Sequence, residues 1–389
     1  MRLIIMLQLQ SKLPSQGVTI FSVMTELAQR LKALNLSQGF PDFPAPPALL
    51  EALSQATLDG YNQYPAGDGV LALREQLAKQ FFARDQQQLD PVTEMTITPG
   101  ATIAIFCAIQ ACIHAGDEVI IFDPSYDSYG PAVQLAGGQS IHIHLEAPTF
   151  HVDWQKVKDS INEKTRMIIV NTPHNPTGAI WSEQDWKRLI ELIQNKNIVV
   201  LSDEVYEHLV FDGQMHYSAL HFPELRDRSF VIGSFGKTYH VTGWKTGYCV
   251  ASPALMQLFR QIYQFANFCG TTPCQIALAN YMQQHPEHIL ELPSFYQQKR
   301  DLFNQQIQNS RFKFVPSQGT YFQNLDYSKI RPDLNDIEMC QFLAEQHKIV
   351  AIPISVFYQQ APSSLRLIRF CFAKTDQTLQ RAGEILERC

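Results

Sequence analysis

The chain contains no pair of cysteines two residues apart, no apolar run of membrane-spanning length and no cluster of basic residues. Each absence removes a class of function. Without CxxC spacing, the eight cysteines do not form a zinc or redox signature, and several sit inside apolar runs such as IRFCF and KTGYCVAS. They are expected to be buried, reduced thiols of a cytoplasmic protein. The opening MRLIIMLQLQ holds only a five-residue apolar stretch, Leu3 to Leu7, too short for a signal-peptide core, and nothing later reaches a membrane span. A formal net charge of −6 with scattered Lys and Arg gives no electrostatic footprint for nucleic acid. Neither GxGxxG nor GxxxxGK[ST] occupies a strand-to-helix turn, which counts against a nicotinamide enzyme and an NTPase. Internal repeats and low-complexity tracts are also missing.

What remains is 389 residues, 45% hydrophobic and 17% charged, enough to bury a large core without disulfides or metal. Short β-branched runs alternate with helical patterns through the middle. Strands are expected at 94–98, 118–122, 140–145, 166–171, 197–203, 229–235 and 246–252, several apolar on both faces as in a helix-covered sheet. Residues 101–113 and 182–196 read as intervening helices, the second opened by Ser182 with Asp185 three residues on. The alternation predicts an α/β layer architecture with a mostly parallel seven-stranded sheet. After residue 253 long helical stretches give way to KFV, GTYFQNL, IVAIPI and LRLIRFCF, an α+β pattern. We therefore expect a large domain over 46–290, a small C-terminal domain over 291–389, and a Pro-rich N-terminal segment over 12–45 joining the small domain.

Ligands of open α/β sheets bind beyond the carboxyl ends of the strands. The polar residues there are Thr98–Thr102, Asp123–Tyr129, Asn171–Gly178, Asp203–Tyr206 and Ser234–Lys237. Gly100, Ala101 and Thr102 lead into a helix whose free N–H groups suit a phosphate, although a glycine before a helix is also ordinary loop chemistry. Asp203 ends an apolar strand and needs a cationic or donor partner; an ion pair, a helix cap or a protonated ring nitrogen would each serve. Lys237 ends another such strand. Desolvation there favours the neutral amine that attacks a carbonyl. In LRLIRFCF, alternation places Leu365, Leu367 and Arg369 on one face, so Arg369 is partly buried and offers a two-pronged match to a carboxylate.

Together, NTPHNPTG (171–178), SDEVYEHL (202–209), SFGKTYHVTGWKTGY (234–248) and LRLIRFCF (365–372) resemble the fold type I, class I pyridoxal-phosphate aminotransferases. SQGFPDF, NQYP and FDPSYDSY are further similar to the methionine and kynurenine subgroup, and the likeness runs from about Lys12 to Lys374. That resemblance implies pyridoxal 5'-phosphate and ping-pong transfer from an L-amino acid, methionine or aromatic, to a 2-oxo acid. It assigns Lys237 to the Schiff base and proton transfer, and Asp203 to the pyridinium nitrogen. Asn175 and Tyr206 would bond the ring 3-oxygen, and Tyr126 would cover the ring face. Gly100, Ala101, Thr102, Ser234 and Lys245 would hold the phosphate, with Tyr64 of a partner subunit, so a homodimer with shared sites is expected. Arg369, with Gly39 and Asn175, would bind the substrate carboxylate.

Lys245 stands where the family usually has arginine, and supplies a point charge instead of a fork. His240 replaces a small or aliphatic residue, and is expected to fill a turn. His142 and His144 are expected as exposed edge-strand side chains. The same residues would serve a β-lyase acting on cysteine conjugates. A cofactor-binding transcriptional regulator is disfavoured by the acidic charge and the short segment before the matching region.

Overall fold

The computed structural model describes residues 10–14 and 17–389; the opening stretch Leu3 to Leu7 lies outside the described residues. A two-residue strand β1 (Leu34–Asn35) precedes seven that build one sheet: β2 (Met95–Thr98), β3 (Glu118–Asp123), β4 (Gln139–His144), β5 (Thr165–Asn171), β6 (Val199–Asp203), β7 (Ser229–Ser234) and β8 (Gly247–Ala251). Their spatial order is β2-β8-β7-β6-β5-β3-β4, with β8 alone antiparallel to its neighbours. All seven expected strands are present, within two residues of the expected ends.

Both faces of this sheet are covered. Ile97, Ile120, Ile168 and Val200 pack into one core with Trp186 and Leu189 of the helix Glu183–Ile193. Val119, Ile121, Ile169 and Leu201 pack into another with Ala104, Ile105 and Ala108 of the helix Ala101–Cys112. This two-sided burial is why the strands read as continuous apolar runs. Ser182 and Asp185 form a reciprocal capping box at the start of their helix, as expected.

A third core lies outside this sheet. Strands β9 (Phe322–Asp326), β10 (Ile349–Val350), β11 (Ile352–Pro353) and β12 (Leu367–Cys371) form two small sheets, β11-β12-β9 and β1-β10. Residues of the N-terminal helix Ile20–Leu31 share that core, and β1 pairs in parallel with β10. That helix went unread in the sequence, where only an extended linker was expected. KFV also departs from expectation. Only Lys313 bridges to Asp326, because exposed Val315 has no strand beside it to complete a ladder.

The edge-strand histidines are more enclosed than expected. His142 Nδ1 lies 2.9 Å from the buried Asp123 Oδ1, and the His144 ring packs against Tyr358. Segment 355–358 folds over the sheet edge and covers both. All eight cysteines are free thiols, and no helix among the described residues is long and apolar enough to cross a membrane.

Candidate active site

Five strand ends converge on a cavity of about 220 Å³. Gly100, Ala101 and Thr102 follow β2, Tyr126 follows β3, Asn171 and Asn175 belong to β5 and its turn, Asp203 and Tyr206 to β6, and Ser234 and Lys237 to β7. Lys245, from the loop before β8, completes the wall. Ten of the sequence-predicted residues therefore meet in one place.

The end nearest Gly100 suits a phosphate. Gly100 has φ +83°, and a Cβ there would meet the Lys245 ammonium stem at 3.3 Å, so glycine is required for the close approach. Ala101 begins a 12-residue helix whose first N–H groups have no helical partner. Ser234 and Lys245 face the same end, Lys245 at φ +50° in the turn that lifts its side chain over Gly100.

Asp203 closes the opposite end. It is 3% exposed; Oδ2 accepts a 2.6 Å hydrogen bond from Tyr129 Oη and Oδ1 a 3.3 Å bond from Val205 N. Burial pushes its carboxyl up to about 6, held in check by the Tyr129 bond. No basic side chain pairs with it among the described residues, which is the environment a protonated ring nitrogen would complete. Tyr129 was not singled out in the sequence, though it sits three residues beyond Tyr126 on the same turn.

Lys237 Nζ donates to Gly39 O (3.2 Å) and to Tyr321 Oη (3.0 Å). Burial lowers its pKa to about 8, with the Arg369 and Lys245 charges acting in the same direction. A reactive amine is thus available near neutral pH. Because the folded value is depressed, loading with an aldehyde should accelerate as pH rises towards about 8 and level off above it. Stopped-flow absorbance at graded pH measures this; a rate still climbing steeply above pH 9 would contradict it.

Asn175 ties the cavity to Arg369. Asn175 Oδ1 accepts a 2.6 Å bond from Arg369 Nη1, and Asn171 Oδ1 accepts from Asn175 N at 2.8 Å. Arg369 is only 1% exposed and lies amid the rings of Phe322, Phe357 and Phe21, 3.9 to 5.7 Å from their centroids. Burial lowers its pKa to about 10, still far above neutrality, so it stays charged. Its face on β12 is the one alternation predicted. Gly39 stands beside Lys237 on the approach from the N-terminal segment, where a Cβ would run into the Phe322 ring at 2.7 Å.

Tyr206 is buried and meets Tyr321 and Phe322 edge-on, at 5.1 and 5.9 Å between centroids. Tyr321 is the second residue that the sequence did not mark. It follows a turn far along the chain, with no local motif around it. Tyr64 does not line the cavity: it is 81% exposed and stacks edge-on against Phe268. His240, at φ +58°, fills the turn after Lys237, packed on Phe43 and Tyr296. His174 bonds Thr177 Oγ1 at 2.6 Å within its own turn.

Comparison with known proteins agrees with this geometry. The family model for aminotransferase class I and II matches residues 32–386. The chain belongs to that aminotransferase family. It is 47% identical to the methionine aminotransferase of Escherichia coli over 97% of this chain and 98% of that protein. It is 34% identical to human kynurenine–oxoglutarate transaminase 3, over 93% of this chain and 86% of that one. The solved structure of an E. coli protein with methionine aminotransferase function superposes with a TM-score of 0.96, covering 98% of this chain and all of that one. N-succinyldiaminopimelate aminotransferase from Mycobacterium tuberculosis, at 35% identity, covers the same shares with a TM-score of 0.93. This aminotransferase is accordingly a pyridoxal-phosphate-dependent enzyme with the fold type I architecture, moving an amino group to a 2-oxo acid.

Proposed function

We propose that this aminotransferase takes methionine and aromatic amino acids as donors, and that the converging residues serve as follows. The observation that carries the assignment is the half-buried Lys237, sharing one cavity with Asp203 and with Asn175, which is bonded to Arg369. The helix start at Gly100–Thr102, Ser234 and Lys245 hold the phosphate, and Tyr126 covers the ring. Asp203 would keep the ring nitrogen protonated, and Asn175 and Tyr206 would donate to the ring oxygen. When bound, the cofactor supplies an aldehyde and a ring that accepts the electron pair of the substrate's α-carbon. Lys237 Nζ takes the α-proton and returns it at the neighbouring carbon. Arg369, with Gly39, orients the carboxylate, while the surrounding phenylalanines favour an apolar side chain. The first product leaves before the second substrate enters.

Donor preference is tested by screening amino acids against several 2-oxo acids with the cofactor-loaded enzyme. Methionine, phenylalanine and kynurenine should exceed aspartate in kcat/KM by about tenfold or more, the discrimination an apolar pocket affords. Pyruvate release from S-substituted cysteine in the absence of an oxo acid would instead indicate a β-lyase.

Exposed Tyr64 and Phe268 suit a subunit interface, across which Tyr64 would reach the partner's phosphate site. Tyr64→Phe should then weaken cofactor binding by about tenfold to a hundredfold, the worth of one charge-assisted bond. Equilibrium dialysis alongside light scattering measures both affinity and dimer mass; a monomer with unchanged affinity would refute the arrangement. Residues 46–290 and the unit formed by 12–45 with 291–389 would act as two domains meeting at the site. Eight free thiols agree with a cytoplasmic location.

A further inference from the structure

Tyr321 brings a hydroxyl to the Lys237 amine that the roles assigned to the cavity residues leave unused. Its ring is fully buried among Tyr206, Phe322 and Tyr296, with centroids 5.1, 4.9 and 5.8 Å away. The residue before it, Thr320, is also fully buried and has φ +66°. A β-branched residue adopts that left-handed backbone only at a cost. Thr320 is held there by its N–H, donated to Leu209 O at 2.9 Å, and by its Oγ1, which accepts from Phe322 N at 3.1 Å. The fold thus accepts strain at the position that sets the direction of the Tyr321 side chain.

Three polar atoms close on one another there. Tyr321 Oη donates to Gly39 O, while Lys237 Nζ donates to Tyr321 Oη at 3.0 Å and to Gly39 O at 3.2 Å. A carbonyl oxygen only accepts, so the one hydroxyl proton is committed to Gly39 O, and Oη meets the amine as an acceptor. Burial and the nearby Tyr206 raise the Tyr321 pKa well above its usual value, so that proton stays in place at working pH. The two acceptors are bonded to each other and therefore stand on one side of the amine. Neither lines the cavity, whereas Lys237 does. N–H is turned towards Tyr321 and Gly39, and the remaining valence of the nitrogen faces the cavity. Core packing alone does not demand this. Neighbouring Tyr296 is equally buried, and its hydroxyl has no partner.

We propose that Tyr321 is a positioning residue for proton transfer: its hydroxyl, pinned by Gly39 O, holds the Lys237 amine with that valence aimed into the cavity. The inference rests on the role given to Lys237 under the proposed function. Nζ must take a proton at one carbon and release it at the next without turning its electron pair away. A flexible four-carbon stem does not hold that aim unaided.

The test compares wild type with Tyr321→Phe and Tyr296→Phe. In the full-length protein before cofactor is added, labelling with trace acetic anhydride at graded pH, read by peptide mass spectrometry, gives the titration midpoint of the Lys237 amine. Loss of an acceptor disfavours the ammonium. The midpoint should therefore fall from about 8 by about one pH unit in Tyr321→Phe, and stay in place in Tyr296→Phe. In the loaded enzyme Tyr321→Phe should lower kcat by about tenfold to a hundredfold with KM within about twofold, and raise the kinetic isotope effect on α-deuterated methionine. An unmoved midpoint would overturn the proposal. A shift without slower proton transfer, or equal changes in both variants, would do the same. Should Tyr321→Phe not fold, 3-fluorotyrosine at position 321 keeps the hydroxyl as a weaker acceptor; the midpoint should then fall by a smaller step, and no movement overturns the proposal. If borohydride fixes the cofactor on a lysine other than Lys237, the reading of function fails, and this role with it. The labelling midpoints, taken without cofactor, separate that failure from a hydroxyl that does not hold the amine.

Discussion

Lys237→Ala should lower kcat/KM for amino transfer by about 10⁴-fold, the upper end of what one acid–base group supplies. Lys237 is one of two lysines on the cavity wall, and the other, Lys245, stands at the Gly100 end beside the helix start. Burial takes Lys237 down to about 8, so a useful fraction is neutral at physiological pH and can accept a proton from carbon. No other side chain on that wall combines this reach with this basicity. Borohydride treatment of loaded wild type, followed by peptide mass spectrometry, should place the cofactor on Lys237 and not on Lys245. The alanine variant should retain its circular dichroism and lose the adduct. An adduct on Lys245 would reverse the roles assigned to the two lysines, while Lys245→Ala is expected chiefly to loosen the cofactor.

Arg369→Met should raise KM for amino acids and 2-oxo acids together, by about 10²- to 10⁴-fold. Two charge-assisted bonds at roughly 1.5–3 kcal/mol each set that range. Cofactor uptake should be nearly unaffected. The accompanying stability change distinguishes a substrate clamp from a structural arginine. Among the described residues Arg369 has no carboxylate within salt-bridge reach; its contacts there are Asn175 Oδ1, a long one to Ser37 O and three aromatic faces, and its Nε has no partner. Removing a buried cation with no ionic partner should leave the thermal midpoint unchanged or higher. A large fall in melting temperature, with KM intact, would mark it as structural. Arg369→Lys should not rescue binding, since a point charge cannot offer the planar fork.

Residues at strand ends were legible because an apolar strand announces its own terminus. Asp203 and Lys237 each follow five or more apolar or small residues, and the open-sheet rule then fixes which end faces a ligand. Arg369 was legible for the related reason that strand alternation assigns it a face. Tyr129 and Tyr321 were not. Each is important through a single hydroxyl, to Asp203 Oδ2 and to Lys237 Nζ, across 74 and 84 residues of sequence. Nothing local distinguishes such a tyrosine from a core one. The helix Ile20–Leu31 was hidden for a different cause: its apolar stripe packs on β10 and β11, more than three hundred positions away. Enclosure of His142 likewise depends on segment 355–358 folding back over the sheet edge.

Only two residues separate Asp203 from Tyr206, and in that distance the chain changes allegiance. Asp203 ends a strand of the large sheet, whereas Tyr206 packs into the core of the other unit, against Tyr321 and Phe322. A ring held between them is geared to both bodies at once. On the roles proposed above, rocking of one unit on the other would change how far the Tyr206 hydroxyl sits from the ring's oxygen while the carboxylate at its nitrogen stayed fixed. A chromophore bound there would act as an optical gauge of hinge angle: its band should drift with crowding, pressure or viscosity, even when no substrate is present.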